Sequence, residues 1–125
     1  MQTVLVRANK QAEIVEIKGD LKSMQEAVGG LIEAIHLYDS YYLIFNEEGK
    51  LRGMEPNRAL YAKDLFGEGC DIPDELVDII VGPFFVVDSS GGDFVGLDNE
   101  EAQMFLERFA KPERFVRVGS RIVCE

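Results

Sequence analysis

The stretch Val77–Val87 is the most apolar in the chain, interrupted only by Asp78 and the Gly82-Pro83 pair. A segment apolar at successive positions leaves no side for water, so Phe84–Val87 reads as a buried strand. Val77–Val81 reads as a strand or the approach to one. Phe84 and Phe85 read as core packing, with the stacking of a base as the lesser alternative. A chain that holds such a strand has to build a sheet around it.

The flanking sequence supplies hairpins. Thr3–Arg7 and Glu13–Ile17 are β-rich and are separated by Ala8-Asn9-Lys10-Gln11, a turn. Leu31–Leu37 and Tyr41–Phe45 form a second pair across Asp39-Ser40. Leu31, Glu33, Ile35 and Leu37 share one face of their strand, and Ile32, Ala34 and His36 the other. Apolar residues on both faces place this strand inside the sheet. Asn46-Glu47-Glu48-Gly49 is a turn with Gly49 suited to positive φ, and Lys50–Met54 continues as an extended segment. Pro56 followed by Asn57-Arg58-Ala59-Leu60 suits a short helical turn.

Two helices carry clearer signals. Asp20 is an N-cap candidate, Leu21, Met24 and Val28 recur on one face, and Gly29-Gly30 closes the segment. Asp98 with Glu101 makes a capping box. Ala102, Phe105, Leu106 and Phe109 then follow at amphipathic spacing, and Lys111-Pro112 stops the helix. Residues 61–76 are the least regular, with Gly67, Gly69 and Pro73 breaking any period; they read as a lid or as a variable surface insertion. Ser89-Ser90-Gly91-Gly92 reads as a loop, and Phe115–Cys124 as a strand pair around Gly119 or a loose tail. The expected fold is α+β. It is a mostly antiparallel sheet with two or three helices packed on one side, in a single domain over 1–125, with 61–76 an irregular insertion and 111–125 a C-terminal extension.

Composition bounds the function. Of 125 residues 46% are hydrophobic, enough to build a core without metal or disulfide staples. A formal net charge of −10 disfavours a nucleic-acid footprint and binding to anionic membrane. The acid crowds Asp64, Glu68, Asp71, Asp74, Glu75 and Asp78. Lys50, Arg52 and Arg58, and then Arg108, Lys111, Arg114, Arg117 and Arg121, form two basic groups. No apolar run reaches the ~20 residues of a membrane span. The N-terminus lacks a signal-peptide layout, so a cytoplasmic location is expected. Cys70 and Cys124 read as two reduced thiols.

Catalytic signatures are sparse. His36, the only histidine, lies in an apolar strand without a nucleophile motif. Asp88-Ser89-Ser90-Gly91-Gly92-Asp93 lacks the alternation and terminal Glu of a calcium loop. There is no phosphate-loop or dinucleotide fingerprint. No metal site and no cofactor is expected, and the chain is expected not to be an enzyme.

An ordered series of short blocks is nonetheless distinctive: Leu21-Lys22-Ser23-Met24-Gln25, Val28-Gly29-Gly30-Leu31-Ile32-Glu33, Asn46-Glu47-Glu48-Gly49-Lys50-Leu51, Pro56-Asn57-Arg58-Ala59-Leu60 and Ile79-Ile80-Val81-Gly82-Pro83-Phe84. It resembles the domain-of-unknown-function family numbered 3846, over about Val4 to Phe109. The resemblance implies an accessory protein of a bacterial phage, plasmid or other mobile element, and supplies no catalytic residues. The expected function is binding of a host protein. The alternative is binding or sequestration of a small anionic ligand such as a nucleotide. Among the polar residues of these blocks, Asn57 suits a cap on the turn after it, and Arg58 a partner for Glu47 or Glu48. If a ligand binds, Arg58 with Asn46 and Asn57 is the expected site, because a guanidinium with two amides suits phosphate or carboxylate.

Overall fold

The computed structural model describes every residue except Cys70, so the expected reduced thiol at that position lies outside the described residues. Strand β1 (Gln2–Val6) pairs antiparallel with β2 (Glu13–Glu16) as expected, and Asn9 in the turn takes φ 64. Helix α1 (Leu21–Val28) starts at Asp20, whose carboxylate accepts the Ser23 N–H at 3.1 Å, and ends on Gly29 in the left-handed conformation. The hairpin β3 (Ile32–His36) and β4 (Tyr42–Asn46) follows.

The next segment departs from expectation. Lys50–Met54 is not extended: it folds into turns closed by Arg52 N–H to the Glu48 carbonyl at 2.9 Å and Met54 N–H to the Gly49 carbonyl at 3.0 Å. Gly53, not Gly49, takes positive φ here, at 67°. Gly49 is required for space instead, since a Cβ there would stand 3.0 Å from a Val81 methyl. The expected helical turn at Asn57–Leu60 is a strand, β5 (Pro56–Tyr61), paired with β6 (Leu76–Val81). Asn57, Arg58, Ala59 and Leu60 are all fully buried. Four successive buried positions suit a paired, covered strand better than a solvated turn, and tertiary packing overrides the local propensity.

Between β5 and β6 lies the short helix α2 (Ala62–Phe66), so residues 61–76 hold more order than their punctuation suggests. Strand β7 (Phe84–Ser90) absorbs Ser89 and Ser90. Gly91 and Gly92 turn it into β8 (Asp93–Val95), which the sequence reading missed. Helix α3 (Asn99–Arg108) carries the expected capping box, and β9 (Phe115–Val118) pairs with β10 (Arg121–Cys124).

The main sheet runs β2-β1-β7-β4-β3, with β8 continuing from β7. Every pairing is antiparallel. Its centre is β7, and the apolar run now has its reason. Phe84 and Val86 point to one face with Val4, Val6 and Leu43, whereas Phe85 and Val87 point to the other with Leu5 and Ile44. Helix α3 seals the first face with Ala102, Phe105 and Phe109, joined by Leu60 and Ile80 of the β5–β6 hairpin. Helix α1 seals the second with Met24 and Val28. The helices therefore cover both sides of the sheet and not one, because a central strand apolar on both faces needs two covers. Each such side chain contributes about 1.5–3 kcal/mol on burial.

The outer strand is a second correction. β3 is an edge, not an interior strand. Its Ile32 and Ile35 are only partly buried, each against the core on its own side, while Glu33, Ala34 and His36 are exposed. Helix cover on both faces explains apolar residues on both faces without a neighbouring strand.

Candidate functional site

Asn57 and Arg58 are brought together, and Asn46 lies apart from them. Asn46 is 2% exposed; its amide donates to the Val28 carbonyl at 3.1 Å and its oxygen accepts the Glu48 N–H at 2.8 Å. It ties the end of α1 to the turn after β4. Asn57 donates to the Val6 and Gly82 carbonyls at 3.0 and 2.9 Å, locking β5 to β1 and to the β6–β7 turn. It therefore caps no following helical turn.

Arg58 does not reach Glu47 or Glu48. Its guanidinium is 0% exposed and donates to the Phe109 carbonyl from both Nε and Nη2, at 3.2 and 3.0 Å. It also donates to the Lys10 carbonyl at 2.6 Å and to Asn57 through both its carbonyl and its side-chain oxygen. Burial lowers its pKa, an effect that the Glu113 carboxylate opposes and the Arg108 charge reinforces. Arg58 thus fastens the β1–β2 turn, β5 and the end of α3 into one block.

An open cleft lies on the α3 side of the sheet. Its volume is about 840 Å³, and it is bounded by the β3–β4 turn, α2 with the loop behind it, and the last turns of α3. Asp39 sits in the β3–β4 turn at φ 54, a conformation Asp tolerates better than most residues. Next to it, the Tyr38 N–H donates to the Asp64 carbonyl at 3.0 Å. The floor is aromatic: Phe105 packs edge-on to Tyr41 at 4.9 Å and beside Tyr38 at 6.1 Å. Phe66 and Met104 stand at the mouth, 63% and 38% exposed.

Asp64 organises one wall. One oxygen accepts Arg108 Nε and the other accepts Arg108 Nη2, both at 2.7 Å, and the latter oxygen also accepts the Tyr61 N–H at 2.8 Å. Arg108 additionally donates to the Ala59 carbonyl at 3.0 Å and lies over the Phe109 ring. Burial tends to lower the Arg108 pKa, but the hydrogen bond and charge of Asp64 outweigh it and the value is raised. Lys63 stands 3.8 Å from Glu68. Both cations of the cleft therefore already face carboxylates, while Asp39 and Asp74 add further negative charge. Tyr38 and Tyr61 are held above their ordinary pKa, mainly by burial and then by neighbouring anionic groups. The rim of the cleft thus carries more carboxylates than cations, around aromatic side chains.

A family model, described as a domain of unknown function (DUF3846), matches residues 1–110. The chain belongs to that family. No curated protein and no solved structure matches it. The DUF3846 span takes in the sheet, all three described helices and both walls of the cleft, and leaves out the β9–β10 hairpin. No helix among the described residues is long and apolar enough to cross a membrane.

Other sequence candidates fall in plain structural places. His36 is exposed, stacks on Tyr42 at 4.6 Å and contacts the Asp39 carbonyl at 2.6 Å. Asp88, in β7, accepts from the Ser40 hydroxyl of the β3–β4 turn and from the Ser89 N–H. The cleft itself was missed because Tyr38, Asp64 and Arg108 are far apart in sequence. The available hint was Arg108, a basic residue in the last turn of a helix facing an acid-rich middle segment.

Proposed function

We propose that this DUF3846 chain is a non-enzymatic accessory protein of a bacterial phage, plasmid or other mobile element, and that it acts by holding a host protein in the cleft beside α3. The observation that carries the reading is the cleft's composition. An aromatic floor and the exposed Phe66 sit inside a carboxylate-rich rim whose two cations are already faced by acids. The complementary partner is a segment bearing lysine or arginine beside an apolar side chain. A basic partner also suits the net charge of −10, which steers cations inward at low salt.

The test is capture from host lysate with tagged wild type and the Phe66→Ser variant in parallel. The expected result is a specific partner, released by added salt and lost with Phe66→Ser. Recovery of no partner, or equal recovery by both proteins, would overturn the proposal. A thermal-shift screen against nucleotides and cyclic dinucleotides separates it from the anionic-ligand alternative. A clear rise in melting temperature there would favour the alternative.

A further inference from the structure

The two edges of the main sheet are defended differently. Edge strands expose unpaired backbone groups, and charge on the edge is one common protection. β2, at one end, is four residues long and has Glu13 and Glu16 at its ends. β3, at the other end, runs Ile-Glu-Ala-Ile-His, with one carboxylate and no lysine or proline.

The direction of the β3 backbone follows from its ladder. The Leu31 carbonyl accepts the Glu47 N–H, and the Leu37 N–H donates to the Tyr41 carbonyl, both at 2.9 Å. Hydrogen-bonded pairs alternate in an antiparallel ladder, so Glu33 and Ile35 also bond to β4. Ile32, Ala34 and His36 therefore turn their N–H and C=O groups outward, and no strand among the described residues receives them.

We propose that β3 is the seat of a homodimer, in which two copies pair antiparallel about Ala34 and join their sheets into one. The occupant follows from register. Outward groups lie on even-numbered residues, so the partner strand must align even with even. Centring on Glu33 sets two carboxylates directly opposite each other. Centring on Ile35 leaves Ile32 and Glu33 beyond the partner's β3. Centring on Ala34 matches Ile32 with His36 and Glu33 with Ile35, pairs every residue of the strand and opposes no like charges. Beside this edge a groove of about 340 Å³ holds Ile35 and Leu51, and Leu51 is 89% exposed, so apolar surface adjoins the ladder.

Two properties distinguish this dimer from docking of a basic protein. Each copy carries −10, and the two Glu33 side chains lie diagonally at about 7–8 Å, so added salt strengthens association. A basic partner would be weakened by salt. Ala34→Pro removes an N–H that points away from β4, so the β3–β4 ladder keeps its bonds while the outward edge loses one.

Sedimentation equilibrium across a concentration series, at low and high salt, tests the proposal on wild type, Ala34→Pro, Glu33→Gln and the opposite-edge control Ile14→Pro. The expected outcome is a wild-type dimer tightened by salt and by Glu33→Gln, weakened more than about tenfold by Ala34→Pro, and unchanged by Ile14→Pro. Hydrogen exchange on wild type gives a readout that does not depend on the variants folding. The Ile32, Ala34 and His36 amides should slow with rising concentration, while the Glu33 and Ile35 amides stay protected throughout. A wild type that is monomeric at high salt, a dimer indifferent to Ala34→Pro, or outward amides that exchange alike at all concentrations would overturn it.

Discussion

Arg58 and Arg108 meet the end of the same helix and are satisfied in opposite ways. Arg58 is fully buried and forms no ion pair among the described residues; its partners are three backbone carbonyls and the Asn57 side-chain oxygen. One of those carbonyls, at Phe109, is the C-cap of α3, where the helix dipole leaves partial negative charge. Arg108, one residue before that cap, forks onto Asp64 at the edge of an open cleft. The same side chain thus serves once as an internal polar fastener and once as the charged wall of a surface site. A guanidinium stays protonated in both settings, so environment and not ionisation separates the roles. The lesson is that arginine content identifies neither role until its acceptors are known.

The comparison predicts unequal costs. Arg58→Ala leaves the Phe109, Lys10 and Asn57 acceptors without their donor and opens a void. At about 1–3 kcal/mol for each buried unsatisfied group, the loss should be about 4 kcal/mol or more, read from urea denaturation at neutral pH. A loss below about 1 kcal/mol would mean water takes over the arginine's role, and the block at the end of α3 would not depend on it. Arg58→Lys should cost about 2–3 kcal/mol, because one ammonium cannot reproduce a planar fan of donors. A nearly neutral lysine would show that charge, and not geometry, is what the site requires.

These two arginines also show what the sequence revealed and what it hid. The capping box at Asp98 and the spacing of Ala102, Phe105 and Phe109 made α3 legible, since both signals are local. The apolar run made β7 legible as a buried strand. Asn57 and Arg58 were misplaced on a helical turn because Pro56 suits a helix start, and the acceptors that hold them in β5 lie far off at Val6, Lys10 and Phe109. α2 hid for the opposite reason: at five residues it carries too little period to recognise. The cleft was illegible because it is assembled from three separated segments, and the side of the sheet each helix covers depends on chain topology.

Arg108 should be the milder case. Its side chain is 30% exposed and that of Asp64 12%, so water relieves part of any broken contact. Arg108→Ala and Asp64→Ala should each cost about 1–2 kcal/mol, with a coupling of about 1 kcal/mol in the double-mutant cycle. Strict additivity would mean that the two residues act through separate contacts, and the Asp64 wall would then rest on the Tyr61 N–H alone.

The smallest effect concerns alkaline pH, and it separates the two arginines by their neighbours. Tyr38 and Tyr61 line the cleft and are both raised above the ordinary tyrosine pKa, as is Tyr41 through burial and its hydrogen bond to Glu101. A raised pKa means that the folded chain keeps these protons after the unfolded chain has released them. Above about pH 10 the unfolded state therefore binds fewer protons, and stability falls as pH rises. Below that range the contribution is fully present. The positive charge of Arg108 favours ionised Tyr61 and so moderates this loss. Arg108→Ala should accordingly steepen the decline measured by urea midpoints between about pH 9 and pH 11. Arg58→Gln introduces no titrating group and removes a charge that does not act on Tyr38, Tyr41 or Tyr61, so it should run parallel to wild type. Tyr41→Phe removes the most strongly shifted of the three phenols and should flatten the decline. If all three variants track wild type, the alkaline transition belongs to other groups, and the cleft tyrosines do not feel Arg108.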